Sequence, residues 1–168
     1  MKLLILFFTS LFCISSLKSS GQNVVKIQQS DIAMLQGSWK GSLTYLDYRI
    51  GKPYTMPANT TISIIPSSNN LLVEMIYPDE PKANGKDTLL VNAGFTTFDG
   101  YIIVSRKSLA DGSVEIITKH NGKDGNDNKN AIIRKTFTIG KNTFTNRKYV
   151  QFEGTTAWIM RNEYSYTK

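Results

Sequence analysis

The chain has 168 residues, 40% of them hydrophobic, with 20 lysines and arginines against 13 aspartates and glutamates and a formal charge of +7. That length suits one domain that buries about two-thirds of its unfolded surface in a single core. One cysteine and one histidine exclude a disulfide framework, a zinc centre of several Cys and His ligands, and any histidine-based triad that does not use His120.

The first 21 residues read as a leader. Lys2 precedes an apolar run from Leu3 to Ile14, and small residues follow through Ser19, Ser20 and Gly21. A charged start, a short apolar run and a small-residue exit describe a secretory signal peptide with cleavage after Gly21. The run is shorter than the roughly 20 apolar residues a bilayer needs, and Cys13 follows Leu11 and Phe12, not the small residues a lipoprotein cysteine requires. Cleavage removes Cys13, Lys2 and Lys18, so residues 22–168 form one expected domain with a charge of about +5 and no thiol. The expected location is secreted or periplasmic. No later stretch is apolar enough to cross a membrane, and nucleic acid is not an expected partner for an exported chain without a binding motif.

Ser30-Asp31-Ile32-Ala33-Met34-Leu35-Gln36 reads as a short helical turn, capped by Ser30 and stopped by Gly37. From Gly37 to Tyr48 the period becomes two, with Trp39, Gly41, Leu43 and Tyr45 on one face and Ser38, Lys40, Ser42 and Thr44 on the other. A helical turn followed by Gly37-x-Trp39 at the head of a first strand resembles the lipocalin and fatty-acid-binding-protein (calycin) group. The resemblance implies a β-barrel that binds small apolar molecules inside, with Trp39 plugging its closed end. It also implies a C-terminal basic residue, Arg161 or Arg147, packed across Trp39.

Further β-type segments follow at short intervals. Arg49 to Pro53 reads as a turn; residues 59–65, 71–77 and 87–91 read as strands, with Leu71, Val73, Met75 and Tyr77 sharing an apolar face. Asp99-Gly100 is a hairpin signal ahead of a strand at 101–107, and Asp111-Gly112 leads into 113–119. Asn121 to Asn130 reads as the longest loop. Strands at 131–139, 143–152 and 156–167 close the chain.

About nine strands with no crossover-length helix argue for an antiparallel meander, and closure is the economical way to remove its edges. The expected fold is therefore an all-β, antiparallel up-and-down barrel of about 8–10 strands, with a β-sandwich as the alternative carrying the same local signals. Closure would make the first and last strands neighbours and bring Trp39 and Trp158 to one seam.

Alternation nominates Leu43, Tyr45, Val73, Met75, Tyr77, Val114, Ile116, Phe137, Trp158 and Met160 as inward. They line either a pocket for a small hydrophobic or amphipathic molecule or an ordinary packed core. The first reading gives an exported lipocalin-like carrier with a cavity of several hundred cubic ångströms. The second gives an envelope or surface interaction module, for which Tyr48, Tyr54 and Tyr166 are the candidate exposed patch. An unrecognised enzyme is a third class, but the expectation is no enzyme, no cofactor and no catalytic or metal residues. His120 reads as a solvated turn residue, so neither a triad nor a haem has a good ligand. Glu74, Glu115, Glu153 and Glu163 come from separate segments. Asp124, Asn126, Asn128 and Asn130 alternate as calcium ligands do, yet Lys129 and Lys135 stand where an EF-hand loop needs glycine and glutamate. Lys119, Lys123, Lys129, Arg134, Lys135, Lys141, Arg147 and Lys148 crowd the C-terminal half, and read as an electropositive side toward anionic glycans or lipid head groups or as ordinary solubilising charge.

Overall fold

The structure is a computed structural model that describes residues 24–47 and 50–168. The expected leader and Tyr48 lie outside the described residues. One helix, α1 (Gln29–Leu35), precedes β1 (Gly37–Asp47), β2 (Lys52–Pro57), β3 (Asn59–Ile64) and β4 (Leu71–Ile76). A 3-10 turn (Pro81–Ala83) leads to β5 (Gly85–Leu89), β6 (Thr97–Phe98), β7 (Tyr101–Ser108) and β8 (Val114–Asp124). The chain ends with β9 (Lys129–Ile139), β10 (Thr143–Phe152) and β11 (Ile159–Thr167).

The eleven strands among the described residues belong to one antiparallel sheet, ordered β5-β4-β3-β1-β11-β10-β9-β8-β7-β6, with β2 paired to β1. The first strand lies beside the last, with Lys40 opposite Thr167 and Tyr45 opposite Asn162, so the sheet curls into a nearly closed up-and-down barrel and not into stacked layers. Ring closure between β5 and β6 rests on the single bridge Val91–Phe98 and on the Gly100 N–H donating to the Leu90 carbonyl at 3.1 Å.

Two stretches depart from the sequence reading. The turn expected at Arg49 to Pro53 is present at Ile50 and Gly51, where Gly51 has φ +65° and donates its N–H to the Asp47 carbonyl at 2.8 Å, but it ends early, because Lys52 and Pro53 already belong to β2. Among the described strands β2 pairs with β1 alone, and an edge strand tolerates Pro53 and Pro57, which cannot donate to a ladder. The long loop expected at Asn121 to Asn130 is mostly strand. β8 runs to Asp124, β9 starts at Lys129, and the reversal between them uses Gly125 at φ +80° and Asn128 at φ +50°.

The helix seals one end. Its N-cap is Gln28, not Ser30, and the Asp31 carboxylate accepts the Gln28 backbone N–H at 2.8 Å. Ile27, Ile32 and Leu35 are buried with Trp39, Ile116, Phe137, Ile139 and Phe144 in the main core. The Trp39 indole N–H donates to the Leu35 carbonyl at 2.8 Å, so the sequence Leu35-x-x-x-Trp39 ties the helix to the first strand. Asp31 also meets Arg106 of β7, whose Nε and Nη2 donate to its two oxygens at 2.7 and 2.8 Å.

Candidate functional site

Inward positions of β1, β10 and β11 form a column of rings that starts at the plug. Trp39 and Phe144 lie 6.0 Å apart, Phe144 and Tyr166 5.7 Å, and Tyr166 and Tyr164 5.9 Å. The Tyr164 and Tyr77 hydroxyls are 3.0 Å apart, and the Tyr77 O–H also reaches the Met75 sulfur at 3.5 Å. Burial raises the phenol pKa values of Tyr164 and Tyr166 above their ordinary value, so both remain donors at neutral pH.

Between this column and the wall made by β3, β4 and β5 lies a partly open cavity of about 120 Å³. Ile62, Val73, Leu89, Phe137 and Phe144 supply its apolar lining, and Met75, Tyr164 and Tyr166 stand around it. Its polar side consists of Asp87, Asp99, Lys135, Asn146 and Thr60. Lys135 and Asp99 form an ion pair that joins β9 to the β6–β7 turn. Asp99 has φ +56° and Gly100 has φ +77°, the backbone of a two-residue hairpin turn.

Of the inward residues expected from sequence, Val73, Met75 and Phe137 line this cavity. Leu43, Tyr45 and Tyr77 pack in a neighbouring cluster around Met56 and Ala58. Val114 and Ile116 sit in the solid core, Ile116 with no exposure at all. Trp158 and Met160 do not point inward. The β10–β11 register shifts between Lys148, opposite Asn162, and Tyr149, opposite Met160. The extra residue, Arg161, reverses the alternation below it, so Met160 is 41% exposed and Trp158 lies over Arg134 on the outer face. Arg161 turns in with Lys148, and both donate to Asp124, at 2.9 and 3.4 Å.

The basic residue over Trp39 is Lys168, with Nζ 4.3 Å from the ring centroid, and not Arg161 or Arg147. Arg147 is bound to Glu163 at 2.6 Å. Tyr166 does not join the expected exposed aromatic patch, because it is 5% exposed in the core, whereas Tyr54 is 48% exposed and packs edge-on to Tyr45, opposite it in the β1–β2 ladder. Glu74 pairs with Lys86, Glu153 accepts from Asn130, and Glu163 takes Arg147, so these carboxylates serve separate partners. Among the described residues no three His, Cys, Asp or Glu side chains group as metal ligands.

His120 is the residue that sequence reasoning placed worst. It sits within β8, not in a turn, and its ring stacks on Tyr101 at 3.5 Å with 7° between the planes. The signal was present, since His120 is in phase with Val114, Ile116 and Thr118, just as Lys135 is in phase with Ile133, Phe137 and Ile139. Burial holds the imidazole pKa below its ordinary value; the Lys135 and Lys148 charges push the same way, and Asp99 opposes them. A depressed folded-state value means that the unfolded chain takes up this proton first, so the contribution is complete above about pH 6.5 and is lost as pH falls below it. H120Q is accordingly expected to lose less Tm than the unsubstituted protein between pH 7 and pH 5, measured by circular dichroism; equal losses would contradict it.

No protein-family model matches the chain, and no curated protein matches it. Among solved structures, the chain is similar to Rv2717c from M. tuberculosis at 10% sequence identity and a TM-score of 0.46, over 86% of this chain and 99% of that one.

Proposed function

We propose that the protein is an exported, non-enzymatic carrier that uses its barrel as a lipocalin does, holding a small amphipathic molecule inside. The observation behind this reading is the cavity, with phenylalanine and aliphatic walls on one side and the Asp99–Lys135 pair and Asn146 on the other. Such a site orients a guest that has one apolar and one polar end. Its size sets the class of guest. An apolar cavity of about 150 Å³ takes a benzene ring, whereas drug-sized sites occupy about 300–1,000 Å³. At about 120 Å³ the space fits a single ring or a short chain, smaller than the several hundred cubic ångströms expected from sequence. Anything longer would protrude through the opening.

Native mass spectrometry of protein recovered after export tests both halves of the proposal. The expected spectrum shows a chain starting at Gln22 and carrying a non-covalent adduct of low mass. Titration calorimetry with phenol, benzoate and benzylamine then compares neutral, anionic and cationic heads on one ring. V73W fills the cavity and is expected to weaken the best of the three at least about tenfold, a loss of about 1.4 kcal/mol. A chain with no adduct that binds none of the three, or a folded V73W that binds as well as the parent, would leave the interior as plain core.

A further inference from the structure

The electropositive half of the sequence divides sharply in three dimensions. Lys135 and Lys148 turn into the barrel with Asp99 and Asp124, Arg147 takes Glu163, and Lys129 takes Asp127. Lys123 and Lys141 are exposed to solvent, while Lys119 and Arg134 lie on the outer face, and among the described residues Lys119 and Arg134 have no ion-pair partner. Aromatic rings hold them instead. The Arg134 guanidinium carbon lies 4.7 Å from the Tyr149 ring centroid and 4.4 Å from that of Trp158, and Lys119 Nζ lies 5.6 Å from Trp158. Among the described residues the buried Nε of Arg134 meets no hydrogen-bond acceptor.

Register explains why they meet. Lys119 is opposite Arg134, Arg134 opposite Tyr149, and Tyr149 opposite Met160, one row across β8, β9, β10 and β11. The Arg161 bulge that turns Met160 outward thereby completes the row. Ile132, one outward position along β9 from Arg134, is 37% exposed, and Met160 is 41% exposed. On β7 the outward Ile102 is 66% exposed beside the same face.

We propose that this outer face docks the protein onto an anionic lipid surface. Tryptophan and tyrosine settle at the level of lipid head groups, where a ring finds apolar and wet surroundings together. Unpaired lysine and arginine are drawn to anionic head groups, each by about fivefold in partition near the surface. The exposed aliphatics decide between lipid and other polyanions. Ile132, Met160 and Ile102 gain nothing against a sulfated glycan or an acidic protein, but they leave water when the face settles among acyl chains. This surface is separate from the cavity and does not depend on what the interior holds.

Vesicle co-sedimentation of residues 22–168 tests it. Binding is expected to vesicles of equal phosphatidylglycerol and phosphatidylcholine, to weaken at about 0.5 M salt, and to be absent on phosphatidylcholine alone. The double variant K119Q/R134Q should partition about 25-fold less than the parent. W158A should also weaken binding, and in the parent the Trp158 emission should shift to shorter wavelength on vesicles while the buried Trp39 stays constant. I132S/M160S leaves the charges in place and should weaken binding as well. Failure to bind anionic vesicles, equal binding by a folded K119Q/R134Q, or binding to heparin without binding to vesicles would overturn the proposal.

Discussion

G41A is expected to lower the stability of the barrel by roughly 3 kcal/mol, or about 6–12 °C in Tm, the upper range for overpacking a tight site. A Cβ at this position would stand 2.0 Å from the Ser165 carbonyl oxygen and 2.8 Å from Cδ1 of Tyr166. The nearer atom is backbone of the neighbouring strand, so no rotamer change relieves the contact. Gly41 lies opposite Tyr166 in the β1–β11 ladder, and its carbonyl accepts the Ala58 N–H at 2.9 Å where the chain passes from β2 to β3. Here β1 changes partners from β3 to β2 on one edge while its other edge stays paired with β11. A methyl group must either push β11 away or bend β1 out of both ladders. G85A is the matched control, because its Cβ would meet nothing nearer than 3.9 Å, and its Tm should change by under about 3 °C. Thermal unfolding of the two variants side by side decides the matter; equal Tm values would contradict the argument.

The period-two pattern carried most of the fold. Val73, Met75, Val114, Ile116 and Phe137 alternate along strands whose inner face is the core, and the structure places each of them inside. Where reading failed, something other than period governed the outcome. At Trp158 and Met160 a one-residue bulge reversed the faces, and nothing local in Ile159-Met160-Arg161-Asn162 marks it. At Lys52 and Pro53 the turn was read two residues too long, and the position of β2 at an edge is what lets a strand begin there and hold a proline. At Asn121 to Asn130 polarity was mistaken for disorder of the ladder, although the turn needs just Gly125 and Asn128 in left-handed conformations.

The candidate site was half legible for the same reason. Its apolar lining follows from alternation along single strands, which a sequence shows directly. Its polar side depends on contacts between residues far apart in the chain, such as Asp99 with Lys135 over 36 positions. Asp99 was read as turn chemistry, which it is, but the direction of its carboxylate depends on how far the sheet curls. Lys168 over Trp39 is similar, since the ring was expected to hold a C-terminal cation, and only the β1–β11 register makes that cation the last residue.

D31A should destabilise the protein by about 3–5 kcal/mol, the range found when one partner of a buried ion pair is removed. The Asp31 side chain is 1% exposed and that of Arg106 is 16% exposed, so the carboxylate lies in the core while the guanidinium keeps partial access to water. The carboxylate binds both Nε and Nη2 of Arg106 and also caps the helix through the Gln28 N–H, while Nη2 makes a third bond to Gln28 Oε1 at 3.0 Å. Association with Asp31 raises the Arg106 pKa, through their hydrogen bonds first, so the guanidinium stays charged and would lose its counter-charge at the barrel end. R106M strands the carboxylate instead, with a loss of similar size. D31L/R106M removes both charges from the low-dielectric end of the core and should be more stable than either single variant, because neither ion is then left without its counter-charge. If the double variant lost the sum of the two single losses in urea unfolding, the pair would be uncoupled, and α1 would be held over the barrel by Ile27, Ile32, Leu35 and the Trp39 indole alone.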